Sequence, residues 1–405
     1  MTISRRAFLG ASSLAVGAGL PLVFQRTAMA APKSDRPGGD QTVLVVLQLT
    51  GGNDGLNTVI PFRDPAYRAA RPTLKQSASQ VKKIDADLGF HSAMPGFADL
   101  LEAGGLAVVQ GVGYANPNRS HFESMDIWHK ATRSRTEKFG WLGRSLPHLK
   151  TGKGLFLGAG EGPLALFSSL GHAPAVGSLK DYQLKTGPGS LGKRRQKTIE
   201  TLAENSSGEN ELLELVLAST RQTYASAKEL DRVAKAEAGS AGYPDTRLSR
   251  NLRLIAKMID AGIPERVYYT TLDGFDTHAG QAESHARLLE EFSEGVAAFQ
   301  KDIAEKGHAK RVLVMTFSEF GRRVKENGSE GTDHGVASQM FLIGEKVNAG
   351  LCGEHPSLED LTSGDLKHHT DFRQVYAAVL DQWLGVPSET VLGKRYEHIS
   401  AIETS

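Results

Sequence analysis

One cysteine, Cys352, is present in 405 residues, so no intrachain disulfide can form and stability must come from the core and from any bound ion. There is no surplus of charge of either sign: 47 Lys and Arg face 46 Asp and Glu, a formal net charge of +1, which argues against a nucleic-acid binder that relies on a basic face. Beyond the N-terminal segment no stretch approaches the about 20 apolar residues of a spanning helix. No unit repeats with a period of roughly 20–50 residues. Gly158–Gly162 is glycine-rich but lacks the Lys-Ser/Thr of a phosphate loop and the spacing of a dinucleotide fingerprint. Together with the missing cysteine cluster, this leaves little support for a redox protein.

What the chain does have begins with Ser4-Arg5-Arg6-Ala7-Phe8-Leu9, a twin-arginine pair ahead of a Gly/Ala/Ser-rich apolar run that ends at Ala28-Met29-Ala30. This is the pattern of a removable export signal, expected to be cleaved before Ala31. Residues 1–30 are thus read as a twin-arginine signal peptide whose partner is the twin-arginine translocase. Residues 31–41 are read as a linker, and the mature protein is placed in the periplasm or outside the cell with no stable membrane span.

From Thr42 to Thr50 the chain is almost wholly apolar, as in a strand buried on both faces. Further strands are predicted at about 106–110, 266–272, 311–317 and 339–343, and helices at about 92–104, 245–261, 282–306 and 371–384. Strands alternating with helices imply an α/β fold: a three-layer, mostly parallel central sheet with helices on both faces, forming one domain over about 42–400. Between about 142 and 244 the pattern weakens into Gly-rich turns, a basic run at Lys193–Lys197 and a polar helical stretch at about 209–237. That stretch reads as a partly helical insertion or cap.

Several of these strands end in candidate ligands, and in open α/β sheets ligands bind beyond the carboxyl ends of strands. The first runs into Thr50-Gly51-Gly52-Asn53-Asp54, where Asp54 reads either as a cation ligand or as part of a plain turn. The strand near 270 runs into Asp273, Asp276 and His278. The strand near 315 runs into Ser318-Glu319, followed by His334 between small residues. Asp and His residues grouped with Glu319 and His334 could bind one or two divalent cations. After the second strand, Arg119-Ser120-His121-Phe122-Glu123 opens a helix. Ser120 with Glu123 forms a capping-box pattern, and Ser120 is equally a hydroxyl that a neighbouring metal could activate as a nucleophile, with Arg119 to clamp anionic oxygens. His121, His91, Asn57 and Asp333 are secondary candidates.

In this order, Leu49–Asn57, Arg119–Phe122, Gly274–His278, Ser318–Arg322 and Gly331–Gly335 resemble the twin-arginine-exported bacterial family called domain of unknown function 1501 (DUF1501), itself similar to the alkaline phosphatase and sulfatase superfamily. The resemblance implies an alkaline-phosphatase-like fold with a carboxylate after the first strand, matched by Asp54, and a hydroxyl nucleophile at a helix start, matched by Ser120. It also implies an Asp with a His four or five residues on, matched by Asp273 and His278, and a final metal His, matched by His334. Asp54 and Glu319 would hold one cation and Asp273, His278 and His334 another, of Zn, Mg, Mn or Ca. One departure matters: an Asp-His pair expected after the late strand reads Glu319-Phe320 here, so one imidazole is missing unless His121 supplies it. The implied function is a secreted metal-dependent hydrolase of phosphate or sulfate esters acting on a small anionic ester. The alternative is a non-catalytic exported binding or scaffold protein with a degenerate metal site.

Overall fold

A computed structural model of the protein describes residues 41–149, 154–169, 171–177 and 241–403, with a few positions between 190 and 233. In chain order the elements used below are β1 (Val43–Thr50), α1 (Pro95–Glu102), β2 (Leu106–Gly113), α2 (His121–Lys130), α3 (Trp141–Leu149), β3 (Leu155–Leu157), β4 (Ala175–Val176), α4 (Arg247–Asp260), β5 (Val267–Asp273), α5 (Gln281–Glu305), β6 (Val312–Phe317), β7 (Arg322–Glu326), β8 (Thr332–His334), β9 (Ser338–Ile343), β10 (Gly350–Cys352), β11 (Thr370–Asp371) and α6 (Phe372–Ala378).

The central sheet runs β10-β2-β9-β6-β1-β5-β3-β4, with β11 also on β2. Every pairing is parallel except those of β9, which runs against both β6 and β2. The sheet is therefore mostly parallel, as the alternation of strands and helices implies, and the elements fall within a few residues of their predicted bounds. The last helix departs from expectation in one way: it is α-helical only to Ala378 and continues as a π-helical turn over Val379–Leu384.

Side chains of β1 alternate between two cores, as a period of two requires. Val43, Val45, Leu47 and Leu49 join the core under α1, α4 and α5 with Phe97, Leu252, Ile255 and Phe292. Leu44 and Val46 face the other core, under α2, α3 and α6, with Trp128, Trp141, Phe372 and Tyr376. Helices on both faces of one sheet give the three layers.

Part of the stretch read as a cap belongs to this frame. Within 142–244, β3 and β4 extend the sheet edge through parallel pairing with β5 and with each other, and α3 packs under the sheet. Their strands are only two or three residues long, too short to leave a periodic signal. The polar stretch at 209–237 lies almost entirely outside the described residues, and so do the signal peptide, its cleavage position and most of the linker. No helix among the described residues is long and apolar enough to cross a membrane.

Register is what matters for function. Thr50 pairs with Asp273 and Gln48 with Phe317, so β1 and β5 end level, β6 ends two residues earlier, and the loops after them leave the sheet side by side. The approach is close: a Cβ at Gly51, whose φ is +117°, would collide with the backbone of Asp276, and only glycine fits there.

At the opposite end of the sheet, burial pushes the Glu265 carboxyl up to about 8 from an ordinary 4.5, and its Oε2 has no hydrogen-bond partner. The folded protein then keeps a proton that the unfolded chain loses above about pH 4.5. The contribution of this group to stability is thus fully present below that pH and is lost progressively as pH rises, until the folded carboxyl ionises near 8. Glu265→Gln is expected to flatten this slope and to be the more stable protein at pH 8, as read from melting temperature against pH. Parallel curves for the two proteins would show that this carboxyl does not carry the effect.

Candidate metal centre

Two loops and one helix start meet at this edge. The loop after β5 brings Asp276 and His278, the β7–β8 hairpin brings His334, and α2 brings its first residue, His121. The hairpin pairs Arg322 with His334. One ligand atom each from His121, Asp276 and His334 lies within 4.8 Å of the other two. His334 Nε2 and His278 Nε2 each sit 3.1 Å from Asp276 Oδ1, and His121 Nε2 sits 3.3 Å from Oδ2. The Nε2 atoms of His278 and His334 are 2.9 Å apart.

The opposite nitrogens decide what those Nε2 atoms are. His334 Nδ1 lies 2.8 Å from the carbonyl of Arg119, which can only accept, so Nδ1 carries the proton. His121 Nδ1 donates to Glu319 Oε1 at 2.8 Å, and His278 Nδ1 faces Asp333 Oδ1 at 3.4 Å. A neutral imidazole protonated at Nδ1 presents a lone pair at Nε2. Three lone pairs therefore point at one carboxylate, and His121 Nε2 is buried with no hydrogen-bond partner. Such a set of acceptors repels itself unless a cation or a proton lies among them. It fits a divalent cation, and the orienting carboxylate or carbonyl behind each imidazole is the usual support of a metal-bound histidine. Three nitrogens and a carboxylate suit zinc or another transition ion better than calcium or magnesium, which favour all-oxygen sets.

Arg322 fixes the acid. It is 2% exposed, and its guanidinium donates to the carbonyls of Gly51, Gly52, Phe275 and Thr332 and, at 2.7 Å, to Asp276 Oδ1. Burial pushes the Asp276 carboxyl up, but the hydrogen bond and charge of the Arg322 guanidinium beside it help carry the group down to about 2. The hydrogen bond to Glu319 is the largest effect on His121, whose pKa is raised.

The missing imidazole at position 320 has its explanation here. Phe320 is 2% exposed, lies against Gly52, and its ring stands 4.9 Å from that of His121 and 4.7 Å from that of His334. It backs the imidazoles, and the nitrogen that approaches Asp276 from this side is that of His121. Sequence reasoning left His121 secondary and gave Arg322 no role. The signal for the first was the vacancy at 320, and nothing local marks the second.

Other expected ligands are committed elsewhere. Asp54 is fully buried with both oxygens on the Arg71 guanidinium, at 2.5 and 3.0 Å, and a third bond from Gln281. Burial raises its pKa, yet Arg71 brings the net shift down, so the carboxylate is a buried ion-pair partner and not a ligand. Asp273 pairs with Arg247 at 2.5 Å on the surface. The Glu319 carboxylate is occupied by the Gly51 amide and His121, so it orients a ligand and is not one itself.

Ser120 caps α2 only by position. Its side chain makes no cap hydrogen bond, so the capping box with Glu123 does not form and the hydroxyl is exposed. The Arg119 guanidinium is tied to Asp365, not free to clamp an anion. Buried His91 accepts from the Ala93 amide, and desolvation lowers its pKa to about 4. Asn57 is buried between Leu74 and Tyr67, and Asp333 stands behind His278.

Beside the cluster opens a cavity of about 540 Å³ whose walls include His121, Phe122, Met125, Asp126, Asp276 and Glu319. Its size is within the range of small-ligand sites.

An α/β sheet with His and Asp residues gathered beyond its strand ends defines the class of protein. The chain belongs to the family described as protein of unknown function (DUF1501), which matches residues 41–393. No curated protein matches it. Among solved structures it is similar to the PsFucS1 sulfatase from Pseudoalteromonas sp., at 11% identity and a TM-score of 0.41 over 97% of this chain and 77% of that one. It is similar to the lipoteichoic acid synthase LtaP from Listeria monocytogenes at 8% identity, TM-score 0.35, over 89% and 80%. A protein in the alkaline phosphatase superfamily from Vibrio parahaemolyticus gives 7% identity, TM-score 0.33, over 88% and 72%.

Proposed function

We propose that the protein is an exported metal-dependent hydrolase of phosphate or sulfate esters. The observation that carries this reading is the convergence of three Nε2 lone pairs on Asp276, each imidazole held from behind by an acceptor. A bound divalent cation would supply Lewis-acid stabilisation of anionic ester oxygens and lower the pKa of a hydroxyl beside it. Asp276, His121 and His334 would hold the ion with His278 beside them, while Glu319, Asp333 and the Arg119 carbonyl keep the imidazoles aimed. Ser120 Oγ, uncapped and next to His121 at the positive end of α2, is the nucleophile.

The test separates binding from turnover. Ser120→Ala is expected to leave metal content unchanged and to lower hydrolysis of an aryl phosphate or sulfate by more than about a hundredfold, because the lost atom is the attacking one. A second reading, an exported binding or scaffold protein that keeps the ion without turnover, has one observation in its favour: Ser120 is not among the residues that line the cavity. Metal-loaded wild type that hydrolyses no phosphate, phosphonate or sulfate ester would select it. Export has its own test. Replacing Arg5 and Arg6 together by Lys should strand the full-length precursor in the cytoplasm, and secretion that survives the change would rule out the twin-arginine route.

A further inference from the structure

The hydrolase reading leaves the alcohol part of the ester open, and the cavity beside the cluster narrows it. Phe122 is 90% exposed, and among the described residues the only other large exposed hydrophobic side chain is Leu191. It follows His121 directly, so its ring stands at the wall of the cavity next to the ligands. Met125 and Leu164 complete the apolar side. The polar side is Asp126 and Thr50. Gln48 donates to Thr50 Oγ1 at 2.9 Å and is itself fixed by Tyr269 and His129, so the Thr50 hydroxyl hydrogen is free to point at a ligand.

Charge excludes two kinds of occupant. Among the described residues no Lys or Arg lines the cavity, and its carboxylates, Asp126, Asp276 and Glu319, repel an anionic leaving group. A cationic one needs an unpaired carboxylate and preferably several aromatic faces. Here Lys130 sits 2.6 Å from Asp126 and offsets it, and among the described residues Phe122 is the single Phe, Tyr or Trp on the wall. We infer that this cavity is the leaving-group subsite of the hydrolase, and that it takes an uncharged polyhydroxylated ring, with Phe122 as the platform for the ring's C–H face and Asp126 and Thr50 bonding its hydroxyls. The inference rests on the hydrolase reading for its place in a reaction, and on the cavity alone for its chemistry.

The experiment therefore reads binding, not turnover. The full mature protein, as purified, is titrated by saturation-transfer NMR and calorimetry with methyl glycosides of glucose, galactose and fucose, and with sorbitol, choline and phenol for comparison. At least one glycoside is expected to bind more tightly than all three comparison compounds. Phe122→Ala should weaken it roughly tenfold, the size of a lost stacking contact, while Phe122→Trp keeps it. Asp126→Asn should weaken it without changing metal content. The inference is overturned if no glycoside binds, if choline or phenol binds better, or if binding ignores both Phe122→Ala and Asp126→Asn. Ester hydrolysis without glycoside binding would sink this subsite alone. Glycoside binding without any hydrolysis would sink the hydrolase reading and leave a ring-binding site.

Discussion

A His121→Ala protein is expected to leave purification without its metal and to hydrolyse no ester, although α2 stays folded. The helix does not need this side chain: His121 is half-exposed, and the packing that holds α2 comes from Ile127 and Trp128 further along. A bound cation would need it, because Nε2 of His121 is one of three imidazole lone pairs beside Asp276 and makes no hydrogen bond. Glu319→Gln makes the graded companion. A Gln carbonyl can still accept from Nδ1 but no longer lends the ring negative charge, so metal affinity should fall by about 10–100-fold, the usual cost of losing an orienting group. Metal content by elemental analysis and competition with a chelator read both effects. A cation bound only by the folded state also raises stability, by about 4 kcal/mol when present at a thousand times its dissociation constant. The His121→Ala protein should therefore melt at the temperature of metal-stripped wild type. If it keeps its ion, the centre is not the one described, and the ligand set that includes Asp54 returns.

The sheet was legible because its strands are apolar throughout and its helices carry one apolar stripe, and both patterns are local. The antiparallel course of β9 was not, since Ser338–Ile343 reads as a buried strand in either direction. Asp276 and His278 stand out for the same local reason, since they follow an apolar strand directly, whereas His334 lies at the end of a short hairpin strand after the charged Arg322–Glu326. Division of labour among the carboxylates was hidden because it is settled by distant partners. Asp273 and Asp276 are three residues apart and look alike, yet Arg247 takes the first and Arg322 turns the second toward the imidazoles. Ser120 misled in the opposite sense: its spacing to Glu123 fits a capping box, and the box does not form, whereas Asp371 and Gln374 close one at the start of α6. Spacing permits such a contact. The approach of the chain decides whether it is made.

Asp54 gives the second large effect. As a metal ligand, its loss would strip an ion and leave the fold nearly intact. As placed, its loss leaves the Arg71 guanidinium fully buried with no counter-charge, and breaking a buried pair from one side costs about 3–5 kcal/mol. Asp54→Ala is therefore expected to lower stability by that amount in denaturant unfolding, with the metal content of the folded fraction close to wild type. The Gln281 side chain should also lose a partner, and that amide is the link between Asp54 and the hydroxyls of Thr277 and Thr332, which brace the two loops of the metal centre. Some loosening of the site follows, less than the loss of a ligand would cause. The double replacement Asp54→Leu with Arg71→Met removes both charges, and most of the stability should return, since apolar side chains of similar size often replace a buried pair without penalty. An Asp54→Ala protein that is as stable as wild type but free of metal would reverse the assignment and make Asp54 a ligand.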